Sequence, residues 1–188
     1  MRKIALLLAS FIALAACEPA PTASTTGTDG TPSQKIYRIS ALNESKIQFR
    51  MLDSVNALRA AAGAAELKLN ASLNASAATH ARDMSVQNRP WHFGSDGSSP
   101  VLRAQRSGYK QSLLGENISE SYETELQTLA AWMELPATRD VILDPKGRDM
   151  GFSWFQDPAG KIWWVLNVGG VGAGYIQAPS PVAERAQG

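Results

Sequence analysis

Residues 150–168 read MGFSWFQDPAGKIWWVLNV. Met150, Phe152 and Trp154 alternate to one side, Asp157 to Gly160 supply turn residues, and Ile162, Trp164, Leu166 and Val168 alternate with Trp163, Val165 and Asn167. This period-two pattern around a turn predicts a β-hairpin with large side chains on both faces. A sheet that is apolar on both faces needs cover on both, so the expected fold is α+β, a three-layer α-β-α sandwich around a small antiparallel sheet.

The covering helices are sought upstream. Ser45 followed by Gln48 forms a capping-box pattern, and Ile47, Met51, Val55, Leu58 and Ala62 recur at helical spacing until Gly63 offers a left-handed stop. Asn70 can cap a second helix whose stripe is Leu73, Ala77, His80 and Met84, ending near Asn88 to Pro90. Ser99 and Pro100 suit the cap and first turn of a short helix closed by Gly108. A further helix carries Tyr122, Leu126, Leu129 and Met133 and is broken or kinked before Pro136, with 141–143 able to continue it for a turn.

The whole chain has 188 residues, 44% hydrophobic and 19% charged, which suits one domain with a core and excludes wholesale disorder. The formal net charge of +1 arises from scattered basic residues, so no nucleic-acid partner is expected. The single cysteine excludes an intramolecular disulfide and a Cys-rich zinc module.

That cysteine is Cys17. It follows a basic start at Arg2 and Lys3, an uncharged stretch over 4–16, and the small residues Ala15 and Ala16. The stretch is too short to span a bilayer, which needs about 20 apolar residues, and reads as a secretory signal. Its end resembles the lipobox of bacterial lipoproteins, which implies cleavage after residue 16, a diacylglyceryl group on the Cys17 sulfur, and a protein held on a membrane in the bacterial envelope. Loss of Arg2 and Lys3 would lower 18 basic residues to 16 against 17 acidic ones, a formal −1. The expected organisation is a signal over 1–16, a lipidated cysteine and Pro/Thr/Ser-rich tether over 17–36, a domain over 37–175 and a polar tail over 176–188.

Three further segments gain meaning together: Trp91 to Pro100 (WHFGSDGSSP), Gly115 to Ile118 (GENI), and Trp132 ahead of Pro136, Arg139, Ile142 and Leu143. Their order and spacing resemble the CAP superfamily of cysteine-rich secretory, antigen 5 and plant pathogenesis-related proteins, in its bacterial SCP-like branch, over residues 52–168. The resemblance implies an α-β-α sandwich with a cleft where two histidines and two acidic side chains converge and which, in some members, holds a divalent metal.

Position by position, His92 matches the first cleft histidine and Glu116 the acid of the Gly-Glu-Asn motif. A neutral imidazole and a carboxylate are zinc-compatible, and without metal they can pair directly. Where the second histidine would stand this chain has Thr138, a poor metal ligand. Glu134, two residues after Trp132, is a candidate second acid whose register with the animal members is open. With His92, Glu116 and Glu134 as the available ligands, no tight zinc site and no cofactor is expected. His80 lies on an apolar stripe and reads as a core or boundary histidine.

Ser95 or Ser98 with His92 and Glu116 could be drawn as a hydrolase triad, but no nucleophile elbow is present and these are ordinary turn residues. The glycines at 169–174 lack dinucleotide-binding spacing. Two functions follow as expectations. One is a membrane-anchored binding module whose cleft, with residues His92, Glu116, Glu134 and Thr138, takes a lipid, a wall fragment or a protein. The alternative is a hydrolase of peptide or wall polymer, with Glu116 as general base and His92 positioning water or a weakly held metal.

Overall fold

Strands β2 (Ser112–Ser121), β3 (Gly147–Gln156) and β4 (Ile162–Gly170) form the antiparallel centre of a five-stranded sheet of order β1-β3-β4-β2-β5 in the computed structural model, which describes residues 36–172 and 176–177. The outer strands β1 (Lys68–Leu69) and β5 (Ile176–Gln177) add in parallel, β1 to β3 and β5 to β2. The sheet is therefore mixed at its edges, where a purely antiparallel one was expected. The signal, Cys17 and nearly all of the tether and tail lie outside the described residues.

The expected hairpin is β3 and β4, closed through Asp157 N–H to the Lys161 carbonyl at 2.9 Å and Gly160 N–H to the Asp157 carbonyl at 3.0 Å. Gly160 has φ +101°, a conformation that side-chain-bearing residues rarely adopt. Every residue of the central strand β4 is buried. Trp164, Leu166 and Val168 join Met150 and Phe152 in the core on one face, and Trp163 and Val165 join Ile118 on the other. Phe152 and Trp164 stack at 5.5 Å between ring centroids. Burying each such side chain contributes roughly 1.5–3 kcal/mol.

Helices α1 (Glu44–Ala61), α4 (Glu125–Glu134) and α5 (Pro136–Leu143) cover the first face through Ile47, Met51, Val55, Leu129, Trp132, Val141 and Ile142. Helices α2 (Ala71–Gln87) and α3 (Pro100–Arg106) cover the second through Leu73, Ala77, Ala81, Met84 and Ala104. The three layers are those that the two-faced hairpin demanded.

Local signals set most helix ends. The Asn70 side chain accepts from the N–H groups of Ser72 and Leu73, and that of Ser99 accepts from Leu102 N–H, with Pro100 in the first turn. Gly63 takes φ +72° just after α1. The start of α1 differs from expectation. Residues Ala41–Asn43 form a 3-10 turn that runs into the helix, and Asn43, not Ser45, precedes it, without a side-chain cap. Tyr122 falls outside α4, because Thr124 and Gln127 make a capping box further on. Pro136 opens a separate helix, since a residue without an N–H fits a first turn where no partner is needed.

Arg59 is fully buried on α1 and closes the far end of this layer. Its guanidinium donates to the carbonyls of Ala65 at 2.8 Å, Ile142 at 2.7 Å and Asp144 at 3.0 Å, the last two at the end of α5, which leaves carbonyls without helical partners.

Candidate functional site

Glu116 owes its position to a β-bulge. Leu113 pairs with Gly169 and Gly115 with Val168, so Leu114 is an extra residue in β2. Leu113 packs in the layer of α2 and α3, whereas Leu114 and Gly115 both turn toward α5, where an added Cβ on Gly115 would meet Val141. After the bulge the alternation resumes one step out of phase, and Glu116 points under α2 and α3 while Asn117 points at α5.

Under those helices Glu116 is wholly buried and surrounded by cationic or proton-bearing groups. His92 Nδ1 lies 2.9 Å from its Oε1, although the two residues are 24 positions apart. A carboxylate only accepts, so this nitrogen carries the proton and donates. Arg103, on the buried side of α3, donates from Nη2 to both carboxylate oxygens, at 2.9 Å and 2.8 Å. Its Nη1 donates to the carbonyls of His92 at 2.8 Å and Ser98 at 2.9 Å. One guanidinium thus holds both the carboxylate and the loop that presents the imidazole. His80 Nε2, on α2, is 3.0 Å from the Trp91 carbonyl, to which it donates, and 3.8 Å from Glu116 Oε1.

The loop 91–99 has its own supports. Asn88 ends α2 at φ +49°, turning the chain back toward Trp91. Asp83 accepts from Ser95 N–H at 2.8 Å and Ser95 Oγ at 2.6 Å, and Gly94 N–H donates to the Ser98 carbonyl at 2.9 Å. Ser95 is therefore committed to Asp83 and takes no part in a triad with His92.

Burial alone would raise the Glu116 pKa, but the surroundings outweigh it: His80 lies beside the carboxylate, His92 donates to it and the Arg103 guanidinium pairs with it, and together they hold the carboxyl at about 2. Burial acts on His80 in the opposite sense for a base and lowers its pKa. The site consists of an ionised carboxylate fixed among an arginine and two histidines.

Of the four expected cleft residues, the fold brings His92 and Glu116 together and places the other two elsewhere. Thr138 is buried on α5, where its hydroxyl donates to the Trp132 carbonyl and its own carbonyl accepts from Asn117 Nδ2 at 2.9 Å. Because Asn117 and Glu116 point to opposite faces of β2, Thr138 lies across the sheet from the imidazoles. Glu134 is exposed at the end of α4, in that same far layer. Arg103 escaped the sequence reading altogether; its one signal is an arginine beside buried Ala104 in a short capped helix. His80 is the buried core residue expected, and it also faces Glu116.

This donor set does not suit the divalent metal that the resemblance implies. Both Glu116 oxygens accept from Arg103, His92 Nδ1 carries its proton toward Oε1, and a dication would sit against the guanidinium. Among the described residues no three His, Cys, Asp or Glu side chains are arranged to hold a metal. His92 and Glu116 meet through a direct hydrogen bond, the pairing open to them without metal. Beside the site opens a cavity of about 420 Å³, bordered by Thr79, Asp83, Asp96, Arg103, Arg106 and Ser107, and every residue lining it is polar or charged.

Comparison with known proteins agrees with the fold. The chain is 27% identical over 145 residues to the uncharacterized protein YkwD of Bacillus subtilis, an alignment covering 77% of this chain and 52% of that protein, so the chain spans about half the length of this curated relative. An outer surface protein of Borrelia burgdorferi superposes with a TM-score of 0.63 at 14% identity, covering 73% of this chain and all of that one. An extracellular SCP-domain protein of Bacillus anthracis gives 0.62 at 18% identity, covering 70% of this chain and 44% of that one. At these identities the structural likeness is one of fold. The model of the cysteine-rich secretory protein (CAP) family matches residues 52–168, well over half the chain, and the protein belongs to that family.

Proposed function

We propose that this protein is a membrane-tethered, extracytoplasmic binding module of the bacterial cell envelope, and that its ligand is a polar wall fragment. The observation that carries this reading is the state of Glu116: wholly buried, ionised, and bonded through both oxygens to Arg103 and through one to His92. A general base must reach its substrate and titrate near the working pH. Glu116 does neither, so the hydrolase alternative loses its base, and the cluster serves to fix the loop 91–99 against the sheet.

The ligand would then contact what the cluster supports. The cavity beside Arg103 presents the carboxylates of Asp83 and Asp96, the Arg106 guanidinium and the hydroxyls of Thr79 and Ser107. Convergent groups of this kind suit the hydroxyls and amides of a saccharide or peptide. Anchorage rests on the lipobox-like sequence ending at Cys17. Among the described residues no helix is long and apolar enough to cross a membrane. The Borrelia burgdorferi neighbour is described as an outer surface protein and that of Bacillus anthracis as extracellular, which supports the same side of the membrane.

Titrating the purified full chain with soluble muropeptides, with tryptophan fluorescence as readout, tests the ligand class. Saturable binding that weakens in Asp96→Asn is expected. No binding to muropeptides, with hydrolysis of them that depends on Glu116, would reverse the assignment.

A further inference from the structure

Three buried polar side chains on the α2 face of the sheet have hydrogen-bonding atoms that nothing in the cluster above uses. Ser76 Oγ, His80 Nδ1 and both Nδ2 and Oδ1 of Asn167 have no hydrogen-bond partner among the described residues, and the three residues are no more than 1% exposed. Buried polar groups are paired in the great majority of cases, so several unpaired atoms in one interface call for a common explanation.

The sheet register brings them to one place. Asn167 is the direct cross-strand neighbour of Glu116 on β2 and of Gly151 on β3, so all three face α2. Above Gly151 the helix rests on the sheet, since an added Cβ there would overlap the backbone carbon and oxygen of Leu73. Above Glu116 the helix delivers His80. Ser76 lies one turn beyond Leu73 and one turn before His80, on the same stripe, and so over Asn167. Asn167 is bracketed by two points of helix contact, yet no hydrogen bond joins it to Ser76 or His80.

The chemistry of the gap is specific. The Trp91 carbonyl can only accept, so the neutral His80 ring carries its proton on Nε2, leaving Nδ1 as a lone-pair acceptor that needs a donor. Asn167 offers two donors and an acceptor, and Ser76 one donor and an acceptor. Arg103 and His92 already occupy the Glu116 oxygens, and among the described residues no three His, Cys, Asp or Glu side chains are arranged to hold a metal.

We propose that the space between Ser76, His80 and Asn167 is an internal hydration site, in which one or a few ordered water molecules donate to His80 Nδ1 and bridge to the Asn167 amide and the Ser76 hydroxyl. Buried polar groups that make no hydrogen bond to one another and are closed to bulk solvent are what an internal water joins, making about three hydrogen bonds. The water fixes the His80 ring from its far side and so helps hold the edge of the Glu116 cluster. This inference does not depend on the ligand proposed above.

The test uses the full chain. Water–protein rotating-frame Overhauser spectroscopy is predicted to show a long-lived water beside His80 and Asn167, and long-range proton–nitrogen correlation to show His80 protonated at Nε2. In Asn167→Leu, which removes the amide at similar volume, the water signal beside His80 should disappear. The proposal is overturned if wild-type protein shows no long-lived water there, if Ser76 or Asn167 is found bonded straight to His80 Nδ1, or if a folded Asn167→Leu keeps the signal unchanged. Should that variant not fold, the wild-type spectra alone decide.

Discussion

Arg103 Nη2 sits within 2.9 Å of both carboxylate oxygens of Glu116, and the other arm of the same guanidinium holds the carbonyls of His92 and Ser98. The pair is a fastener between α3, the loop 91–99 and strand β2. Replacing Arg103 with leucine leaves an ionised carboxylate in a site without solvent, which costs about 3–5 kcal/mol. Glu116→Gln should cost less, because Arg103 keeps its two loop carbonyls and the amide retains one acceptor. Urea unfolding of both single variants and the Arg103→Leu/Glu116→Leu double checks this: the double variant should be more stable than Arg103→Leu alone.

Acid should weaken the fold through the same group. The Glu116 carboxyl is held at about 2 in the folded protein against an ordinary value of 4.5, so the unfolded chain binds the proton more readily. The stabilisation is complete above pH 4.5 and is lost as pH falls toward 2, on the order of 3 kcal/mol in full. His80 adds in the same direction from higher pH: burial lowers its pKa below 6.5, so protonation favours the unfolded chain as pH drops through that value. Denaturant midpoints measured from pH 7 to pH 2 should decline throughout, and Glu116→Gln should flatten the acid limb.

On the other face of the sheet, Arg59 replaces lost helix partners for Ile142 and supplies donors to Asp144 and Ala65. Arg59→Met keeps much of the buried stem but orphans those carbonyls, at about 1–3 kcal/mol each before relaxation. A net loss of roughly 3 kcal/mol or more is expected in chemical denaturation.

Gly151 is where α2 meets the sheet. Gly151→Ala would drive a methyl into the Leu73 backbone and lift the helix, at about 1–3 kcal/mol. Because His80 rides on that helix, its ring resonances should shift along with the stability.

Much of this layout was readable from residue types. The hairpin followed from strict alternation around Asp157 to Gly160, and the ends of α2 and α3 from Asn70 and Ser99, because each depends on neighbours in sequence. Strand β2 was missed: SLLGENISES puts a glycine, a glutamate and an asparagine at positions that the fold buries, so its polarity hid its period. Strands β1 and β5 are two residues long and exist only through their partners. His92 and Glu116 were readable through their motifs. That Thr138 and Glu134 lie elsewhere depends on a bulge at Leu114 and on which layer α4 and α5 join, both set by packing at a distance.

Glu116 is a permanently ionised fastener, and a carbon NMR titration of its side-chain carboxyl reads that state without a substrate. The resonance is predicted to stay at its ionised position through neutral and mildly acidic pH and to move only as pH approaches about 2. A carboxyl that titrates near neutrality would mark a working acid or base and contradict the binding-module reading.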